Sequence, residues 1–152
     1  MARHIVRTQG FRELEQALLE LPKATGRNTA RRALLKAAQP IADDASANAP
    51  IGETGKLSST IEPGTRLSRR QSQLHKKQSP FEVFIGPSAD PRGVQQEFGN
   101  ANHPAQPFMR PAWEANKARA LSTIRTELKN EIHKSAQRIA RKAARLAAKT
   151  GT

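Results

Sequence analysis

The sequence predicts an α+β protein, a small antiparallel sheet packed with an N-terminal helical pair and a long C-terminal helix. Three observations predict it. Apolar residues recur at steps of three and four between residues 11 and 45, and again between 121 and 146, the period of amphipathic helices. Short stretches between these two regions alternate apolar and polar residues, as half-buried strands do. Those stretches are bounded by Gly and Pro, which punctuate strands and turns.

In chain order, residues 3–6 read as a short strand. Phe11, Leu14, Leu18 and Leu21 form the stripe of a first helix, which Pro22 stops. A second helix is predicted from about residue 26 to 48, with Ala30, Leu34, Ala37, Ile41 and Ala45 on one face and Pro40 expected to remove a hydrogen bond and kink it. Residues 50–63 form a turn-rich joint, followed by a predicted strand at 57–61. Residues 64–80 carry Arg66, Arg69, Arg70, Lys76 and Lys77 with no acid, and read as an exposed loop or a β-hairpin extension. A strand is predicted at 81–85, ended by Gly86-Pro87, and residues 94–98 are expected to pair with it. From about Pro111 one long helix follows, its stripe running Leu121, Ile124, Leu128, Ile132, Ala136, Ile139, Ala143, Leu146. Past His133 the stripe thins to alanine and the last two turns are expected to fray or to be held by another subunit or an anionic surface. The predicted division is therefore a body at 1–132, with the basic extension 64–80, and a basic helical extension at 133–152.

Composition narrows the classes. The chain has 152 residues, a net charge of +13 and no Cys, which removes disulfide scaffolds and thiolate metal sites. Leu, Ile, Val and Phe number only 28, while Ala alone supplies 24 residues. Such a core is thin for a lone domain, so either part of the chain is unfolded alone or neighbouring chains complete it. No apolar run approaches the roughly 20 residues a spanning helix needs, and the start lacks a secretory signal, so no membrane partner is expected. Five cations fall at residues 66–77 and six after His133, which leaves 15 against 13 acids elsewhere.

No catalytic, cofactor or metal constellation is legible. His4, His75, His103 and His133 are isolated from one another, and Asp43-Asp44 diverge on a helix surface and read as a solvated face. Gly52-Glu53-Thr54-Gly55-Lys56 lacks phosphate-loop spacing, and no nucleophile elbow is present. The most informative stretch is 97–113, where Pro104, Pro107 and Pro111 stiffen a loop carrying Phe108-Met109-Arg110. Its apolar tip must be buried, either in the domain's own core where the long helix begins or against a neighbour.

Three elements, in order, resemble the head-to-tail joining or tail-completion family of long-tailed bacteriophages. They are a helical opening, Gly10-Phe11-Arg12-Glu13-Leu14 then Ala30 to Ala49, ending in Ala49-Pro50 followed by Thr54-Gly55-Lys56-Leu57 and a strand, then Val83-Phe84-Ile85-Gly86, then Glu97-Phe98-Gly99 with Pro107-Phe108-Met109-Arg110-Pro111-Ala112. The likeness covers roughly residues 5–132 and leaves out the basic insertion and the basic C-terminal extension. It implies a virion structural protein at the neck or head-proximal end of the tail, assembled in the host cytoplasm, with no enzyme activity and no cofactor. A tail terminator or neck ring of this kind has six subunits, or twelve, and contacts the tail tube protein and the head connector or stopper. The resemblance puts the intersubunit contact at Glu97, Phe98, Gly99, Pro107, Phe108, Met109, Arg110 and Pro111, and the helix-to-sheet turn at Pro50, Gly55 and Leu57. Arg66, Arg69, Arg70, Lys76, Lys77, Lys134, Arg138, Arg141, Lys142 and Arg145 are candidates for an acidic partner or for DNA in the channel. The alternative, from charge alone, is a basic accessory protein that binds DNA nonspecifically.

Overall fold

A computed structural model of the chain describes residues 10–52, 54–88 and 90–151. The strand expected at residues 3–6 lies outside these. The elements are α1 (Phe11–Glu20), α2 (Lys23–Asn48), α3 (Lys56–Ser59), β1 (Ile61–Gly64), α4 (Arg69–Leu74), β2 (Phe84–Pro87), α5 (Pro91–Phe98) and α6 (Met109–Thr150). The predicted class holds: helices packed on a small antiparallel sheet, with a helical pair first and one long helix last.

The frame is the antiparallel pair α2 and α6. Ala30, Ala33, Ala37, Ala38, Ala42 and Ala45 are all buried, and so small a stripe lets the two helices pack closely. Their direction follows from the pairs that bridge them, Asp44 with Asn116, Lys36 with Glu127, Arg32 with Glu131 and Thr29 with Ser135. Thr29 and Ser135 are buried and hydrogen-bond to each other at 3.0 Å, so neither hydroxyl is left unpaired in the seam. Asp44 is not simply solvated: it accepts from the Nδ2 of the buried Asn116. Pro40 lies inside α2, which continues on both sides of it. α1 packs on this pair through Leu18, and Phe11 lies 5.3 Å beneath the Arg125 guanidinium.

The middle of the chain departs from the predicted strands, each time because a local cap or brace wins. The strand expected at 57–61 begins only at Ile61. Gly55, at φ 58, starts one turn of helix instead, and the hydroxyls of Ser58, Ser59 and Thr60 donate to the carbonyls three residues back. The strand expected at 81–85 is displaced to Phe84–Pro87. The Glu82 carboxylate accepts from the N–H groups of Gln78 and Ser79 and pairs with His75 at 2.8 Å, which bends residues 78–82 into a braced loop. Those hydrogen bonds, Gln78 first and then His75, hold Glu82 below the ordinary carboxylate range. Gly86 and Pro87, expected to end the strand, belong to it: β1 and β2 pair antiparallel with Ile61 opposite Pro87 and Gly64 opposite Phe84.

The basic stretch at 64–80 thus connects two paired strands, as a hairpin extension would, but its regular part is helical. Ser68 and Gln71 form a reciprocal capping box at the start of α4. Residues 94–98 are not a strand beside β2. Asp90 caps Arg92 N–H and Pro91 occupies the first turn, so α5 forms there. At the C-terminus α6 runs to Thr150 without interruption, although every residue of it from 136 onward is exposed. The core that results is small: Ile41, Ala42, Ala45, Ala49, Leu57, Ile61, Phe108, Ala112 and Ala120, with Ile85 and Met109 packed against it.

Candidate functional site

The stretch singled out in the sequence folds into a clasp between the end of α5 and the start of α6. Gly99 reverses the chain after α5, Asn100 and His103 bridge across the turn, and Gln106 N–H donates to the Gln96 carbonyl at 2.7 Å. The chain therefore returns beside Glu97 as α6 begins. Phe108, the N-cap position of α6, offers no side-chain cap. Glu97 supplies one from a different helix.

The geometry accounts for every orphan donor of a helix start. The first four N–H groups of an α-helix have no partner within it. Here the Glu97 Oε2 accepts from Phe108 N–H at 2.8 Å and Met109 N–H at 2.9 Å, and Oε1 accepts from Arg110 N–H at 3.1 Å. The fourth position is Pro111, which has no N–H to satisfy. Arg110 closes the clasp in the other direction, its Nε donating to Oε1 at 3.1 Å and its Nη2 to the Glu97 carbonyl at 3.0 Å. Glu97 is only 5% exposed. Burial pushes its pKa up, but the N–H groups of Met109, Phe108 and Arg110 and the Arg110 guanidinium outweigh it, and the carboxyl stays below its ordinary range.

The eight residues predicted at this contact divide into two sets. Glu97 and Phe108 are buried within the subunit, Phe108 completely, and Met109 is half-buried against the core. Phe98, Pro107, Arg110 and Pro111 are exposed, and Gly99 is half-buried between them. Phe98 is 66% exposed beneath the Arg110 guanidinium, and Val94, one turn earlier on the same face of α5, is 64% exposed. Trp113, one turn after Arg110 on α6, is exposed as well and lines the groove that runs between α6 and β2. Exposed apolar side chains on α5 and on α6 thus flank a clasp whose carboxylate is buried and whose guanidinium is exposed.

The turn residues sit beneath it. Pro50 follows α2, Gly55 starts α3, and the buried Leu57 packs under Gly93 of α5. A Cβ on Gly93 would stand 2.6 Å from the Pro87 Cγ and 3.6 Å from the Leu57 Cδ1. Gly93→Ala is therefore expected to push α5 off the sheet and lower stability by about 1–3 kcal/mol, read from the urea midpoint. Arg66, Arg69, Arg70, Lys76 and Lys77 are all exposed on the connection between β1 and β2, and Lys134, Arg138, Arg141, Lys142 and Arg145 are all exposed on α6. The two basic groups belong to different elements.

Sequence reasoning missed the capping role of Glu97, the Asp44–Asn116 bond and the Thr29–Ser135 bond. Two signals were present. α6 begins on Phe-Met-Arg-Pro with no Ser, Thr, Asp or Asn at its cap, so a remote acceptor was required. Thr29 lies beside the alanine face of α2, and Ser135 lies beside Ile132 and Ile139 on the apolar stripe of α6, where a polar side chain needs a partner. Among the described residues no group of three or more His, Cys, Asp or Glu side chains could hold a metal ion, and no helix is long and apolar enough to cross a membrane.

Comparison with known families matches residues 12–99 to the family model HK97-gp10_like, described as Bacteriophage HK97-gp10, putative tail-component. No curated protein and no solved structure matches the chain. The matched region runs from α1 through α5 and ends just past Glu97, so it covers the acceptor half of the clasp and stops before α6.

Proposed function

Because the chain belongs to the HK97-gp10-like family of bacteriophage tail components, we propose that it is a ring-forming subunit at the head-proximal end of the tail or at the neck, completing the tail tube and joining it to the head connector. Its role is structural and requires no cofactor. The observation that carries this reading is the exposure of three large apolar side chains on the two helices joined by the Glu97 clasp, Val94 and Phe98 on α5 and Trp113 on α6. The sheet adds to it: with two strands, each keeps an outer edge with no strand partner among the described residues, and such edges favour pairing with a neighbour. A contact from these apolar side chains to a different patch on the next subunit is heterologous, and repeated around an axis it closes a ring of six, or of twelve. Residues 1–132 would form the ring body, and the basic segments at 64–80 and 133–152 would project from it.

In this arrangement the exposed residues Phe98, Pro107, Arg110 and Pro111 and the half-buried Gly99 make the contact, while Glu97, Phe108 and Met109 hold the loop in place. Native mass measurement of the purified chain and of virion-derived particles tests it, with a ring expected in at least one. A monomer in both overturns the proposal. The paired change Val94→Ser and Phe98→Ser is expected to leave the melting temperature within a few degrees and to weaken assembly by roughly 30-fold, the effect of losing about 2 kcal/mol at an apolar anchor.

A further inference from the structure

The C-terminal part of α6 carries a feature the ring does not use. Between Lys134 and Lys149 the helix holds Lys134, Arg138, Arg141, Lys142, Arg145 and Lys149 and no acid. At 3.6 residues per turn, these six side chains fall within an arc of about 100° and extend over about 22 Å of helix axis. Ser135, Ile139 and Leu146 lie in the adjacent sector, across from Pro22 and Thr25, and line a groove of about 540 Å³ whose rim includes Arg138 and Lys142 of the stripe. α6 is antiparallel to α2, whose first residue is Lys23, so its last turns run beyond that helix end. Among the described residues Arg141, Lys142, Arg145 and Lys149 form no ion pair, and Lys134 reaches only Glu131, at 3.6 Å.

We propose that this stripe binds the phosphate backbone of duplex nucleic acid without reading its sequence. A helix of about 10–12 Å diameter fits a major groove about 12 Å wide, and its projection past α2 leaves the cationic sector open to approach. The stripe consists of Lys and Arg alone, with no Asn, Gln or aromatic side chain to address base edges or stack on single strands. An acidic protein surface fits less well, because the cores of protein interfaces are depleted in charge and enriched in aromatic residues and Met. A lipid surface fits less well again: Ile139 and Leu146 are the only large apolar side chains on these turns, and both face the groove.

Anisotropy titration of the full chain against a labelled duplex of about 30 base pairs, from 50 to 200 mM salt, tests the proposal. Six neutralised phosphates predict a log–log slope of about −5, a loss of roughly 10³-fold over that range. The variant Arg138→Gln, Arg141→Gln, Lys142→Gln, Arg145→Gln is expected to lower the slope to about −2, with helicity by circular dichroism and ring mass unchanged, because glutamine is a good helix former. A second duplex of unrelated sequence should bind equally. The proposal is overturned by an unchanged slope in the variant, by no binding at 50 mM salt, or by polyglutamate competing as well as duplex at equal charge. The last result would assign the stripe to an acidic protein. Loss of ring mass with duplex binding intact would count against the ring alone.

Discussion

Phe108→Ala is expected to destabilise the subunit by about 4 kcal/mol, within the 3–5 kcal/mol typical of a fully buried phenylalanine. Its side chain is completely enclosed, and among the described residues it is the largest side chain so buried. The rest of the core is mostly alanine with Ile41, Leu57 and Ile61, which cannot collapse into the space a missing ring leaves. For a chain of this length the loss corresponds to a fall of roughly 10–15 °C in melting temperature. Phe108→Leu, which keeps most of the volume, should recover more than half of it. A Phe108→Ala protein with an unchanged melting temperature would mean that the core does not depend on this ring. Because the variant acts on folding, it is the wrong probe of assembly, and the exposed Val94 and Phe98 are the right ones.

Glu97→Gln is expected to cost about 3 kcal/mol, since one neutral amide replaces two carboxylate oxygens that together accept four hydrogen bonds, one of them from the charged Arg110 guanidinium. An amide NH₂ turned toward an N–H donor is repelled, so at least one first-turn donor is left without an acceptor. The helix start also loses the negative charge that its dipole favours. The pH dependence follows from the lowered pKa of Glu97. A carboxyl held below its ordinary value of 4.5 stabilises the fold fully above that pH, and the contribution is lost as pH falls through the lower folded value. Urea midpoints of native protein and variant should therefore differ most at neutral pH and converge as pH falls below 4.5 and through the lower folded value. A difference that does not change with pH would mean that the charge of Glu97 is not what holds the clasp.

How legible the fold was depended on the range of the forces concerned. The helices were visible because 3.6-residue periodicity is written locally: Phe11 to Leu21, Ala30 to Ala45 and Leu121 to Leu146 each declare a face. The strands were visible as chemistry but not as position. Residues 57–60 look like a strand and form a helical turn because their hydroxyls satisfy nearby carbonyls. Residues 94–98 look like a strand and form α5 because Asp90 and Pro91 start a helix just upstream. In both places a cap of two or three residues outweighed β propensity, which is weak without a partner strand.

The candidate site was found as a segment and misassigned in its parts. Its conspicuous residues, three prolines and a Phe-Met pair, marked residues 97–113 as a stiff loop with an apolar tip. Composition could not say that Phe108 turns inward while Phe98 and Trp113 turn outward, because all three are equally apolar.

By itself the sequence determined the helices, the thinness of the core, the concentration of charge in two segments and the segment where α5 meets α6. Only the tertiary structure decided that Glu97 caps a helix it does not belong to, that Thr29 meets Ser135, and which apolar side chains of the clasp remain exposed. The physical reason is that periodicity and charge are sums over neighbours in the chain, whereas an orphan N–H group or a buried hydroxyl takes whichever acceptor the packing brings within 3 Å.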